Sequence, residues 1–238
     1  MEVLSELWAR VVGTQPPPDQ PVVLGAALLA LLAVSPRPAW RRTRHVVTIA
    51  HEGAHGVAAA LSGRQLAGIR LHSDTSGLTL SKGRPRGPGM VATAAAGYVG
   101  PALLGLGAAL LLSTGRPVAV LWLLLLLLAL LLLQIRNLFG LWSVLVTGAA
   151  LLAASWWLPE TVQSAVAYVV TWFLLLAAPR PVLELQAARR RGRARDSDAD
   201  QLARLTGLPG IVWIGLFLVA TLGSLVLGAL VLVPGLAG

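Results

Sequence analysis

The chain has 238 residues, 56% hydrophobic and 12% charged, with no cysteine and a formal net charge of +9. Soluble domains carry about 25% charged residues, so this composition excludes an ordinary soluble fold, and the missing thiols exclude disulfides and cysteine metal sites. Apolar residues come in blocks rather than in alternation, which points away from a β-barrel and towards an all-α polytopic membrane protein.

Residues 1–20 form a mixed, amphipathic N-terminal segment that breaks at Pro16, Pro17 and Pro18. Beyond it, residues 21–238 read as a single integral membrane domain. Its apolar blocks lie near 21–35, 46–62, 90–112, 117–135, 137–154, 161–178 and 209–235. Gln134, Arg136 and Asn137 interrupt the middle of 117–154, so the count is six to seven transmembrane helices. Proline and glycine mark most joints, among them Pro36, Gly63, Gly115, Pro159 and Gly207.

Two connecting segments are long enough to carry function. In 63–89 the alternation through Ile69, Arg70, Leu71 and His72, a polar turn from Asp74 to Gly77, and then Leu78, Thr79 and Leu80 predict a β-hairpin-like loop. The segment 179–208 holds the basic run RRRGRAR at 189–195, followed by DSDADQLARLTG. The basic run reads as a topology anchor. With seven crossings, 13 basic residues fall in the loops after the second, fourth and sixth spans and five in the alternate set. That asymmetry places 63–89 and 179–208 in the cytoplasm, with the N-terminus inside and residues 37–44 outside. Arginine between apolar blocks also attracts anionic lipid, and no nucleic-acid partner is expected. Most tryptophans flank spans and read as interfacial anchors.

The chemistry concentrates in TIAHEGAHGVAAAL, residues 48–61. His51 and His55 are one helical turn apart on one face, so both imidazoles can reach a single metal ion. Glu52 is offset by about 100°, near enough to act on a water bound to that metal without itself being a ligand. A carboxylate within a membrane span costs about 2.5–3.5 kcal/mol even on the lenient insertion scale, which marks it as functional. Three protein ligands and one open position make a catalytic zinc site, and HEGAH provides two of the three. Ala50, Gly53, Ala54 and Gly56 make the same helix small enough for close packing.

HEGAH inside a span, the AAAGYVGPALLG stretch at 94–105 and the hairpin-like loop between them resemble the site-2 protease family of intramembrane zinc metalloproteases. The resemblance covers residues 46–112 and implies Zn2+ as cofactor, Glu52 as the catalytic residue, and a membrane protein substrate cleaved at the lipid bilayer of a bacterial inner (plasma) membrane. The family takes its third ligand from an aspartate in a Leu-Asp-Gly string, which this chain lacks. Asp198 is the replacement expected here, with Asp200 behind it. Ser197 and Asp200 match a helix capping box, which accounts for them and leaves Asp198 free. A short helix from 198 would carry Asp198, Leu202 and Leu205 on one inward face. Asn137 at the mid-membrane break, and His72 and Asp74 in the hairpin turn, are candidates for binding substrate, although a solvated turn also explains the last two. The absent string keeps two alternatives open: a non-proteolytic metal-binding scaffold of the same fold, and a transporter or proton path lined by His51, Glu52 and His55.

Overall fold

The computed structural model describes residues 2–193 and 196–236; Met1 of the N-terminal segment and Ala194 and Arg195 of the basic run lie outside the described residues. The helices are α1 (Glu2–Val12), α2 (Gln20–Val34), α3 (Arg37–Leu61), α4 (Pro88–Ser113), α5 (Pro117–Leu132), α6 (Leu138–Trp157), α7 (Glu160–Ala177), α8 (Pro179–Arg190), α9 (Asp198–Thr206) and α10 (Gly210–Leu232). Between α3 and α4 stand strands β1 (Gln65–Leu71) and β2 (Gly77–Lys82). Proline occupies the first turn of α2, α3, α4, α5 and α8, where its fixed φ suits a helix start and its missing N–H removes no helical bond.

Among the described residues, four helical segments are long and apolar enough to cross a membrane alone: α4, α6, the continuous Glu160–Arg190 run of α7 and α8, and α10. α2 and α3 qualify only as a pair bent by 101°, and α5 is shorter, at 16 residues. Outward leucines such as Leu126, Leu130 and Leu227 are exposed, as lipid-facing positions require. The fold is therefore the all-α membrane bundle with a small hairpin that the sequence implied.

The core gathers on small residues. Ala108, Ala109, Ala167 and Ala177 are almost fully buried, letting α4 and α7 approach each other. Gly105 abuts Leu174 and Leu175, and Gly228 of α10 abuts the same Leu175. A second cluster packs Ala199 and Leu202 of α9 among Ala94, Val182, Ile214 and Phe217.

The hairpin folds back along α3. Antiparallel pairing runs from Gln65 opposite Lys82 to Leu71 opposite Gly77, with an irregularity between Leu66 and Gly68. β1 also bonds the α5–α6 connection: Ile69 N–H donates to the Gln134 carbonyl at 2.8 Å, and Arg136 N–H donates to the Ile69 carbonyl at 2.9 Å. At the hairpin turn, Thr48 Oγ1 donates to the Thr75 carbonyl at 2.9 Å.

Specific contacts assign each connection to one end of the bundle. Gln15 N–H bonds the Gly115 carbonyl, Trp122 faces Trp156, and Arg10 lies over Trp156, so the start of α2, both ends of the α4–α5 turn and the end of α6 share one end. At the opposite end, Arg180 of α8 donates to the Ser35 carbonyl, and His45 packs on Phe139 at the start of α6. The bend after α2 leaves α3 at this second end instead of sending it across. Residues 37–44, expected from the sequence on the far side from 63–89, thus lie at the same end as that loop. Apart from Arg10 and Arg116, every described basic residue falls there.

Labelling of single cysteines in this naturally cysteine-free chain checks the arrangement. Cysteines at Arg42, Asp74 and Arg191 are expected to react from one face of the membrane and a cysteine at Arg116 from the other. Seven independent crossings would instead pair Arg42 with Arg116.

Candidate metal centre

α3 carries His51 and His55 one turn apart, and their Nε2 atoms stand 3.1 Å from each other. α9 begins at Asp198, whose Oδ2 lies 3.3 Å from each of those nitrogens. These three residues are the group whose ligand atoms all lie within 4.8 Å of one another. The edge of a tetrahedron with bonds of about 2.0–2.1 Å is about 3.3 Å, so the three atoms have the spacing of one face of a tetrahedral zinc site.

The donor set calls for a cation. His55 Nδ1 is 2.7 Å from the Thr93 carbonyl, which can only accept, so this nitrogen carries the proton. A neutral His55 then directs the Nε2 lone pair at a carboxylate oxygen, a repulsive arrangement unless a metal ion or a second proton lies between them. Burial opposes ionisation of Asp198, yet the hydrogen bonds and charge of His51 and His55 hold its carboxyl below the ordinary range.

α4 provides the wall. A Cβ on Gly97 would collide with Nε2 of both His51 and His55, and one on Gly100 would collide with Ala54. Pro101, lacking an N–H, leaves the Gly97 carbonyl without its helical donor. Tyr98 meets His51 edge to face at 4.8 Å and stacks on Phe217 of α10.

Glu52 is 5% exposed and sits under the hairpin. Thr79 Oγ1 is within donating range of Glu52 Oε2 at 2.6 Å and of the Glu52 backbone carbonyl at 3.1 Å. Gly77 leaves the space for this contact, since a Cβ there would stand 2.5 Å from Glu52 Cγ and Oε1.

α9 is held where Asp198 can reach the histidines. Ser197 and Asp200 form the reciprocal capping box expected from the sequence, and Gly207 closes the helix at φ +76°. Arg189 of α8 pairs with Asp200 and lies 3.4 Å from Ser197 Oγ. Burial raises the Asp200 carboxyl, but Arg189 and Ser197 outweigh it and bring it down. Leu202 is fully buried, whereas Leu205 is only half-buried, so the inward face centres on Ala199 and Leu202.

The other sequence candidates stand apart from the three donors. Asn137 binds the β1 backbone twice: Leu71 N–H to Oδ1 at 3.1 Å and Nδ2 to the Leu71 carbonyl at 2.7 Å. His72 and Asp74 close the hairpin turn through Ser76, whose hydroxyl and backbone N–H bond Asp74 and hold its carboxyl below its ordinary value. In the sequence Thr79 reads only as part of the hairpin, Arg189 only as part of the basic run, and Thr93 and Gly97 carry no site signal of their own, although Gly97 lies in the small-residue stretch already noted.

The Peptidase M50B-like family model matches residues 24–228. The chain belongs to this family of site-2 proteases. No curated protein and no solved structure matches it.

Gly97→Ala is expected to abolish metal retention, while Gly107→Ala, where nothing lies within 4 Å of the added methyl, leaves it intact. Asp200→Ala is expected to cost about 1 kcal/mol of stability through the lost cap. Metal content after chelator challenge, together with thermal melts, reads both effects.

Proposed function

We propose that the chain is a zinc-dependent intramembrane endopeptidase of the bacterial inner (plasma) membrane, acting on transmembrane or membrane-anchored protein substrates. The observation that carries this reading is the triangular approach of His51, His55 and Asp198 at 3.1–3.3 Å, with Glu52 buried on the same helix as the histidines. These three residues would hold Zn2+, in agreement with the donor chemistry and with membership of a site-2 protease family. When bound, zinc lowers the pKa of water and polarises the scissile carbonyl.

The chain's own groups have distinct parts in that reaction. Glu52, one residue along from His51, takes the proton of the attacking water at a carboxylate oxygen and delivers it to the departing amine. Thr79 fixes the rotamer of that carboxylate through Oε2, leaving Oε1 for the proton. Thr93 fixes the tautomer of His55, so that Nε2 rather than Nδ1 faces the metal. The hairpin and α4 cover Glu52 and His55, limiting bulk water around the site.

Metal analysis beside a cleavage assay on a membrane-anchored reporter tests the reading. About one zinc per chain is expected, lost in His51→Ala, His55→Ala and Asp198→Ala. Glu52→Gln should keep the metal and lose cleavage. Full metal binding in all three ligand variants would sink the zinc site, while metal retention with no cleavage by the wild type would favour the scaffold.

Thr79→Val is expected to keep the metal and slow turnover by roughly tenfold, the scale of one hydrogen bond to a charged group. Thr79→Ser should restore most of it. The comparison is of kcat, the constant in which misplacement of the general base is read.

A further inference from the structure

A second polar site lies where the first turns of α3 meet α8 and the hairpin turn. Arg37, Arg41 and Arg44 recur at i, i+4 and i+7 on one face of α3, and together with Arg180 they line an open cavity of about 450 Å³ floored by Trp40. Trp40 is 3% exposed, its Nε1 donates to Glu184 Oε1 at 2.7 Å, and the Arg180 guanidinium lies 4.7 Å above its ring.

The charges do not balance. Glu184 serves two cations, Arg44 at 3.3 Å and Arg180 at 3.5 Å. Asp74, at the rim, is turned to Ser76 and forms no ion pair among the described residues, so four guanidiniums share the cavity with two carboxylates. Neither Arg37 nor Arg41 has an acidic partner among the described residues. The cavity thus holds two uncompensated guanidiniums whose planar donors suit the oxygens of a phosphate.

Its surroundings indicate where that phosphate comes from. α2 ends at Val34, immediately before the cavity, and exposes Leu24, Leu28, Leu31 and Leu32 along the preceding turns. An apolar flank beneath a cationic recess with a tryptophan floor matches acyl chains below an anionic headgroup. None of the three donors His51, His55 and Asp198 lines the recess.

We infer that Arg37, Arg41, Arg44 and Arg180 form a binding site for the phosphate headgroup of an anionic phospholipid, at the junction of α3, α8 and the hairpin turn. A headgroup seated there touches all three elements and ties the turn of the hairpin to the bundle. The site is independent of the metal and of proteolysis.

The test is native mass spectrometry of the full chain released from detergent containing equal amounts of phosphatidylglycerol and phosphatidylcholine. The wild type is expected to retain phosphatidylglycerol preferentially. A direct hydrogen bond to a charged group contributes about tenfold or more, so Arg37→Gln/Arg41→Gln should lower the preference by more than about tenfold. Ser73→Glu, which puts a negative charge on the cavity wall from the hairpin side, should do the same without touching an arginine. Arg191→Gln/Arg193→Gln, an equal charge loss on the basic loop, should leave the preference unchanged. Thermal melts matching the wild type identify folded variants. An unchanged preference in the Arg37/Arg41 variant, or an equal fall in the basic-loop control, would overturn the site. Displacement of the lipid by millimolar inorganic phosphate or by an acidic peptide would overturn its assignment to lipid.

Discussion

Three electron-rich atoms, two imidazole nitrogens and a carboxylate oxygen, meet within 3.3 Å in a bundle made mostly of Leu, Ala and Val. Unless a proton or a metal ion lies between them they repel, and a medium of low polarity weakens the repulsion little. Much of the surrounding structure serves to hold them together. Thr93 dictates which nitrogen of His55 faces inward, Gly97 leaves the volume the rings require, and the docking of α9 through Ala199 and Leu202 fixes where Asp198 begins. What these features share is that they bring together a group that could hold a metal ion. Filling Gly97 or loosening α9 acts on the same point from opposite sides.

Glu52 answers to a different scaffold. Its carboxylate is held from the hairpin by Thr79, and the hairpin is held by the α5–α6 break. Asn137 bonds both backbone groups of Leu71, while Gln134 and Arg136 bond Ile69 on the same strand. These contacts set the β1 register, and the β1–β2 pairing then determines that Thr79 and Gly77 meet Glu52. A one-residue slip would turn Thr79 to the other face. The polar break at Gln134, Arg136 and Asn137 thus acts on the site through two strands rather than by direct contact with the ligands.

What could be read in the sequence was local. HEGAH on one helical face, the alternating hairpin, and the capping box that sets Asp198 apart from Asp200 all depend on neighbours within a few residues. The bend after Val34 was less legible. Residues 37–44 hold four arginines and read as a polar connection, yet they are the first two turns of α3, started by Pro38 and free of internal glycine. Their charge is tolerated because Arg44 pairs with Glu184 and Arg37 and Arg41 line an open cavity. Thr79 with Glu52, and Arg189 with Asp200, are pairs created by folding across 27 and 11 residues. No spacing rule exposes such pairs, because the intervening loops, not helical or strand periodicity, bring them together.

Taking the carboxylate from α9 also changes where the centre lies. A ligand on a crossing helix would fix the metal at the depth of that helix. α9 is instead amphipathic: Leu202 is buried, while Arg204 and Asp196 beside it have side chains 60% and 82% exposed. A helix with that division rests at the boundary of the bundle, its charged face in water. Asp198 opens this helix, so the donors it joins lie within one side chain's reach of the aqueous end, the same end that gathers the basic loops. The side chains of His51 and Asp198 are 19% and 22% exposed, so the group is open to water at this end without a channel through the apolar interior. The placement of Asp198 needs no Leu-Asp-Gly string: a capped helix, clamped by Arg189, brings an aspartate to the histidines from the aqueous end.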